Sequence, residues 1–254
     1  MAKKYYVYGN WKMNLITEEI KDFIRALSNS SISNKIEIAI APQSIHFTLV
    51  KHLLENHSIR VGLQQCSEHL KGAYTGEVSP LAAKNLKTDF VLVGHSERRS
   101  LFGENLEIVS KKTKTLIELE MKVVFCIGET FEERKQGRIF DVLTEQLAST
   151  LDQFNPQQIL DNMIIAYEPV WAIGTGEVAT PSQANEAHQF IREFISKKYG
   201  HNLEAVPLLY GGSVKPENFE DLLKMPHIDG ALVGGASLNA DSFIRLCSIA
   251  QQLL

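Results

Sequence analysis

The 254-residue sequence is short of cysteine, of long apolar runs and of excess charge, and each shortage removes a class of protein. Its three cysteines, Cys66, Cys126 and Cys247, stand far apart, without the CxxC spacing of a metal site or the density of a disulfide framework. A reducing cytoplasm is the setting expected from them. No apolar stretch approaches the ~20 residues that cross a bilayer, and the apolar run at 5–9 is shorter than the core of a secretory signal. The net charge of −4 lacks the basic excess of proteins that bind nucleic acid or anionic membranes, so neither partner is expected. Any anionic ligand must be held by local groups. No low-complexity tract or Gly/Ser linker interrupts the chain, and a single domain over 1–254 is expected.

What is present is a globular composition, 44% hydrophobic and 22% charged with 16 glycines, sufficient to bury a large core. Eight short apolar runs recur at 5–9, 36–41, 59–63, 90–94, 122–126, 163–167, 206–210 and 230–234. They are nearly continuous rather than alternating, which suits parallel strands covered on both faces. Between them lie helix-start signals: Thr17-Glu18-Glu19-Ile20, Ser79-Pro80, Thr180-Pro181 and Lys215-Pro216. Ile20, Phe23, Ile24 and Leu27 share one helical face. Eight units in this length leave about 32 residues each, the size of strand, helix and loops together. Periodicity alone allows either a closed (β/α)₈ barrel or an open doubly wound sheet.

The polar residues that follow the runs favour closure. Asn10 and Lys12 come after the first, Gln64 after the third and His95-Ser96-Glu97 after the fourth; Glu168 follows the sixth, Gly211-Gly212-Ser213 the seventh and Gly234-Gly235 the eighth. Barrel active sites gather at the carboxyl ends of the strands, and these residues from both ends of the chain would meet there. Lys12 in isolation reads as a solvated charge, but within Gly9-Asn10-Trp11-Lys12-Met13-Asn14 it is placed to hold an anion. His95, at a strand-to-helix turn, is either structural or an electrophile whose imidazolium form the helix N-terminus disfavours. Glu168 ends an apolar strand and has either an ion-pair partner or a catalytic task. The apolar segment 169–176, bounded by Pro169 and glycines, suits a mobile flap as well as it suits an ordinary buried loop. The paired glycine turns before helical stretches fit a phosphate site of backbone N–H groups.

At these residues the sequence closely resembles the triosephosphate isomerase family. The resemblance rests on Gly9-Asn10-Trp11-Lys12-Met13-Asn14, Gly72-Ala73-Tyr74-Thr75-Gly76-Glu77, Val93-Gly94-His95-Ser96-Glu97-Arg98-Arg99, Cys126-Ile127-Gly128-Glu129, Tyr167-Glu168-Pro169-Val170-Trp171 with the residues to Gly176, Tyr210-Gly211-Gly212-Ser213-Val214 and Leu232-Val233-Gly234-Gly235-Ala236-Ser237-Leu238, in order along nearly the whole chain. It implies a TIM barrel that interconverts dihydroxyacetone phosphate and D-glyceraldehyde 3-phosphate, in glycolysis and gluconeogenesis. By the same resemblance Glu168 is the base and His95 the electrophile, the roles for which this family is known. Lys12 and Asn10 hold the substrate, Glu97 positions Lys12, and Gly174, Ser213, Gly234 and Gly235 bind the phosphate. No metal or organic cofactor is implied. A homodimer formed through the loop 65–79 is implied too, although Gln65 stands where the family usually has Asn. Two rivals are an aldolase-type phosphate-binding barrel, for which the late strands lack an inward lysine, and a catalytically silent binding barrel, against which the intact Asn10, Lys12, His95 and Glu168 set argues.

Overall fold

The computed structural model describes residues 4–172 and 179–254. Eight strands, β1 (Tyr6–Asn10), β2 (Glu37–Ala41), β3 (Arg60–Val61), β4 (Val91–Val93), β5 (Val123–Ile127), β6 (Met163–Tyr167), β7 (Leu208–Tyr210) and β8 (Gly230–Val233), pair in parallel. Their ladders run in the order β3-β2-β1-β8-β7-β6-β5-β4. The ends of that series meet through a parallel bridge between Leu63 and Val91, with Leu63 N–H donating to Phe90 O and Leu92 N–H to Leu63 O. The sheet is therefore a closed (β/α)₈ barrel and not an open doubly wound sheet.

Both faces of the strands are covered, which is why the runs read as continuously apolar. Tyr8, Phe90, Leu92, Val124, Ile164, Leu209 and Leu232 pack inside the barrel, while Val7, Ile40, Val123, Ile165 and Val233 face the helices. Gly62 serves this packing: a Cβ there would lie 2.4 Å from the Phe90 ring. The third run forms a ladder only over Arg60–Val61 because the chain changes partners at that point, Gly62 N–H bonding β2 and Leu63 N–H reaching toward β4. The seventh starts at Leu208 because Pro207 has no N–H to give the ladder. At the amino end of the barrel Glu37 accepts from Tyr8 OH at 2.5 Å and pairs with Lys4 and Arg60, closing the interior with satisfied charges.

The helices begin where the start signals lie. In α1 (Thr17–Ser28) the Glu19 carboxylate accepts from Ile16 N–H, and Ile20, Phe23, Ile24 and Leu27 are buried, each stabilising by roughly 1.5–3 kcal/mol. After α2 (Phe47–Leu53), Ser79 caps α3 (Pro80–Asn85) and His95 caps α4 (Ser96–Phe102). There follow α5 (Leu106–Glu118), α6 (Phe131–Lys135), α7 (Ile139–Leu151) and α8 (Pro156–Asn162). Thr180 and Gln183 form a reciprocal cap on α9 (Pro181–Tyr199), followed by α10 (Pro216–Leu223) and α11 (Ala240–Gln252). This alternation delivers every strand's carboxyl end to one face of the molecule.

Candidate active site

On that face a cavity of about 680 Å³ is lined by Asn10, Lys12, His95, Glu168, Gly211, Gly212, Ser213, Gly234 and Gly235. The residues singled out in the sequence thus converge, apart from Gly174, which lies outside the described residues along with the end of the segment 169–176. Glu97 stands beside the cavity on α4 and reaches it through Lys12.

Lys12 occupies a left-handed backbone conformation, φ 52°, which costs a non-glycine residue on the order of 1 kcal/mol. Its neighbours hold it there. Asn10 Oδ1 accepts from Lys12 N–H at 3.0 Å, and Gln64 Nε2 donates to the Lys12 carbonyl at 2.7 Å and to Ala41 O at 3.0 Å. The side chain then extends along the cavity floor past Gly234, and its ammonium pairs with Glu97 Oε1 at 2.5 Å. An amine fixed in this way presents its remaining donors to whatever anion enters.

His95 follows Gly94, whose φ of 74° turns the chain from β4 into α4. As the N-cap it accepts at Nδ1 from Glu97 N–H, 3.2 Å away. A ring nitrogen that accepts carries no proton, so this bond leaves Nε2 as the ring's donor. Nε2 in turn lies 3.0 Å from Glu168 Oε1. The carboxylate is 2% exposed and takes a second hydrogen bond, 2.9 Å long, from Ser96 N–H at the start of α4. The imidazole N–H and the first backbone N–H of α4 thus both point at this carboxylate. Glu168 N–H also donates to Ile127 O, anchoring the base to β5.

Lys215, Glu217, Asp241 and Arg245 also line the cavity. Burial and the nearby Glu168 carboxylate raise the Cys126 thiol well above its usual value, and burial together with Glu129 does the same to the Tyr167 phenol. The glycine turn after β7 brings backbone close to the cavity. At Gly211 a Cβ would sit 2.7 Å from Glu168 Cγ, and at Gly212 one would sit 2.3 Å from the Tyr210 hydroxyl. Side chains are absent because the space is already taken.

The family model for triosephosphate isomerase matches residues 5–250. The chain is 43% identical over 247 residues to the triosephosphate isomerase of Leptospira biflexa, an alignment covering 96% of this chain and 99% of that one. It is 43% identical over 246 residues to that of Endomicrobium trichonymphae, covering 96% and 98%, and 40% identical over 255 residues to that of Colwellia psychrerythraea, covering 99% of each. The chain belongs to the triosephosphate isomerase family.

In this member of the triosephosphate isomerase family the structure adds partners that residue-by-residue reading did not assign. Glu129 is fully buried at the end of β5 and accepts from Tyr167 OH at 3.0 and 3.1 Å, Trp171 Nε1 at 2.9 Å and Arg134 at 3.0 Å. The Arg134 guanidinium also lies over the Trp171 ring, 4.5 Å from its centroid. Together with Val170 N–H donating to Glu129 O, these bonds fix the chain directly after Glu168. Glu129 occurs in the sequence motif, but the fan of donors around it comes from three separate elements and could only be found in space. The same is true of Ser96, which acts through its backbone.

Proposed function

We propose that this chain interconverts dihydroxyacetone phosphate and D-glyceraldehyde 3-phosphate through an enediolate, with Glu168 as the base and His95 as the electrophile. The observation that carries the reading is the 3.0 Å contact between His95 Nε2 and the buried Glu168 carboxylate in the lining of a cavity that Lys12 also lines. A substrate entering between the two takes the place of that contact. Glu168 removes a proton from C1 of dihydroxyacetone phosphate and returns it at C2, while the neutral His95 ring moves protons between the two oxygens. Lys12 offsets the growing negative charge, Asn10 hydrogen-bonds beside it, and Glu97 keeps the ammonium in place. The phosphate is held by backbone N–H groups at Gly174, Ser213, Gly234 and Gly235 with the Ser213 hydroxyl.

A general base contributes ~10²–10⁴-fold, well short of a typical enzyme's acceleration, so oriented charge and exclusion of water supply the rest. Closing 169–176 over the phosphate provides that exclusion and keeps the enediolate from expelling phosphate. The Glu129 fan fixes one end of this segment. Steady-state conversion of glyceraldehyde 3-phosphate by the parent and by Glu168→Gln tests the assignment. A fast parent and a variant slower by ~10²-fold or more support it; a folded but inactive parent overturns it and leaves the cavity as a phosphate-binding site.

The activity places the protein in glycolysis and gluconeogenesis and suits the cytoplasm. A homodimer is also part of the reading. Met13, Ile45 and Phe102 are exposed by 84%, 77% and 66%, and Tyr74 of the loop 65–79 by 44%, apolar groups that a partner would cover. That loop is held in shape by a His69–Tyr74 ring stack and by Ser67 N–H donating to Val78 O. At its root Gln65 Oε1 accepts from the buried Lys112 ammonium at 3.3 Å.

A further inference from the structure

The β4–β5 ladder ends at the pair Val93 and Phe125. One residue further along each strand, two carbonyls accept from a single side chain. Arg99 Nε donates to Gly94 O at 2.7 Å, and Arg99 Nη2 donates to Cys126 O at 3.1 Å. Gly94 immediately precedes His95. Ile127, immediately after Cys126, accepts the Glu168 backbone N–H at 2.7 Å. The guanidinium therefore spans the two backbones from which electrophile and base are suspended.

Its neighbour Arg98 pairs with the Glu104 carboxylate, whereas Arg99 spends these donors on carbonyls. Burial holds its guanidinium below the usual value, partly offset by the Cys126, Glu168 and Glu104 groups that face it. A desolvated cation is an expensive way to satisfy two carbonyls that a water molecule could reach. What the planar fork adds is a fixed distance between them, and a lysine ammonium has no comparable rigidity. Gly94 leaves room for the fork, since a Cβ there would lie 2.8 Å from Nη2.

We propose that Arg99 is a positioning residue that sets the separation of His95 and Glu168 by clamping the open ends of β4 and β5. The proposal rests on the roles assigned above to those two side chains. Apart from Gly174, the phosphate cradle belongs to the turns after β7 and β8, so the clamp governs turnover and leaves substrate capture alone.

Steady-state kinetics on Arg99→Lys and Arg99→Met, with inorganic phosphate as a competing anion, test it. Both variants should lose on the order of 10–10²-fold in kcat, while KM and the inhibition constant for phosphate stay within about 2-fold of the parent. Parent-like kcat in either folded variant overturns the proposal. So does a parallel change in KM and phosphate inhibition, which marks general loosening of the barrel. Recovery of kcat by Arg99→Lys alone would show that charge matters and the span does not. Where Arg99→Met fails to fold, Arg99→Lys carries the test. His95→Gln and Glu168→Gln measured alongside separate the two levels: if they are impaired and Arg99 variants are not, only the clamp falls, and if they are unimpaired the assigned roles fall with it.

Discussion

Replacing Gly128 by alanine should move the base without touching it. A Cβ at Gly128 would lie 1.7 Å from the Glu168 carbonyl oxygen and 2.6 Å from its carbon. Relief to ordinary contact requires roughly 1.5 Å or more of separation between the two backbones. Gly128 cannot retreat, because Gln146 holds its peptide from both sides, Oε1 accepting from Gly128 N–H at 2.8 Å and Nε2 donating to Gly128 O at 3.0 Å. Glu168 must yield, breaking its bond to Ile127 O and shifting its carboxylate relative to His95 Nε2. Misplacing a reacting group by about 1 Å costs on the order of 10²-fold in rate, and overpacking costs typically ~1–3 kcal/mol of stability. The assay is steady-state isomerisation with a urea melt on the same preparation. The expected result is kcat lower by about 10²-fold with a folded, moderately destabilised protein. Parent-like kcat would refute the claim that the β5 backbone fixes the base.

Two further expectations concern the whole molecule. Burial lowers His188 from 6.5 to about 3, so above pH 6.5 neither state binds this proton, and below it the unfolded chain binds it first. Stability is therefore lost as pH falls from 6.5 toward 3, by about 2 kcal/mol at pH 5 relative to pH 8; urea midpoints for His188→Leu at fixed protein concentration should fall less steeply over that range, and parallel curves would contradict the assignment. Sedimentation equilibrium at micromolar concentration should give twice the 28.5 kDa chain mass, and a monomer would leave the exposed Met13, Ile45, Phe102 and Tyr74 unexplained.

Much of this architecture is legible in the sequence because buried parallel strands announce themselves as apolar runs, and helix starts as Ser79-Pro80 or Thr180-Pro181. Closure is not legible by periodicity, because the decisive contact is a single bridge from Leu63 to Val91 beyond the end of β3. The site divides in the same way. Asn10 ends a strand, and Lys12, His95 and Glu168 follow strands within two residues, so the strand pattern itself places them on one rim. Glu129, Ser96 N–H and Arg99 lie beyond that logic. Each works through a geometry assembled from two or more elements, and a linear pattern holds no trace of which carbonyl a guanidinium will reach.

The central claim, that Glu168 relays a carbon-bound proton through an enediolate, is tested most directly by running the isomerisation in D₂O. The proton that Glu168 takes up becomes an acidic O–H, which exchanges with D₂O during the life of the intermediate, so product formed from dihydroxyacetone phosphate should carry deuterium on C2, and Glu168→Gln should form that product at least ~10²-fold more slowly. Product free of carbon-bound deuterium at every stage of conversion would mean that hydrogen passes directly between the carbons, and the base assigned to Glu168 would be contradicted.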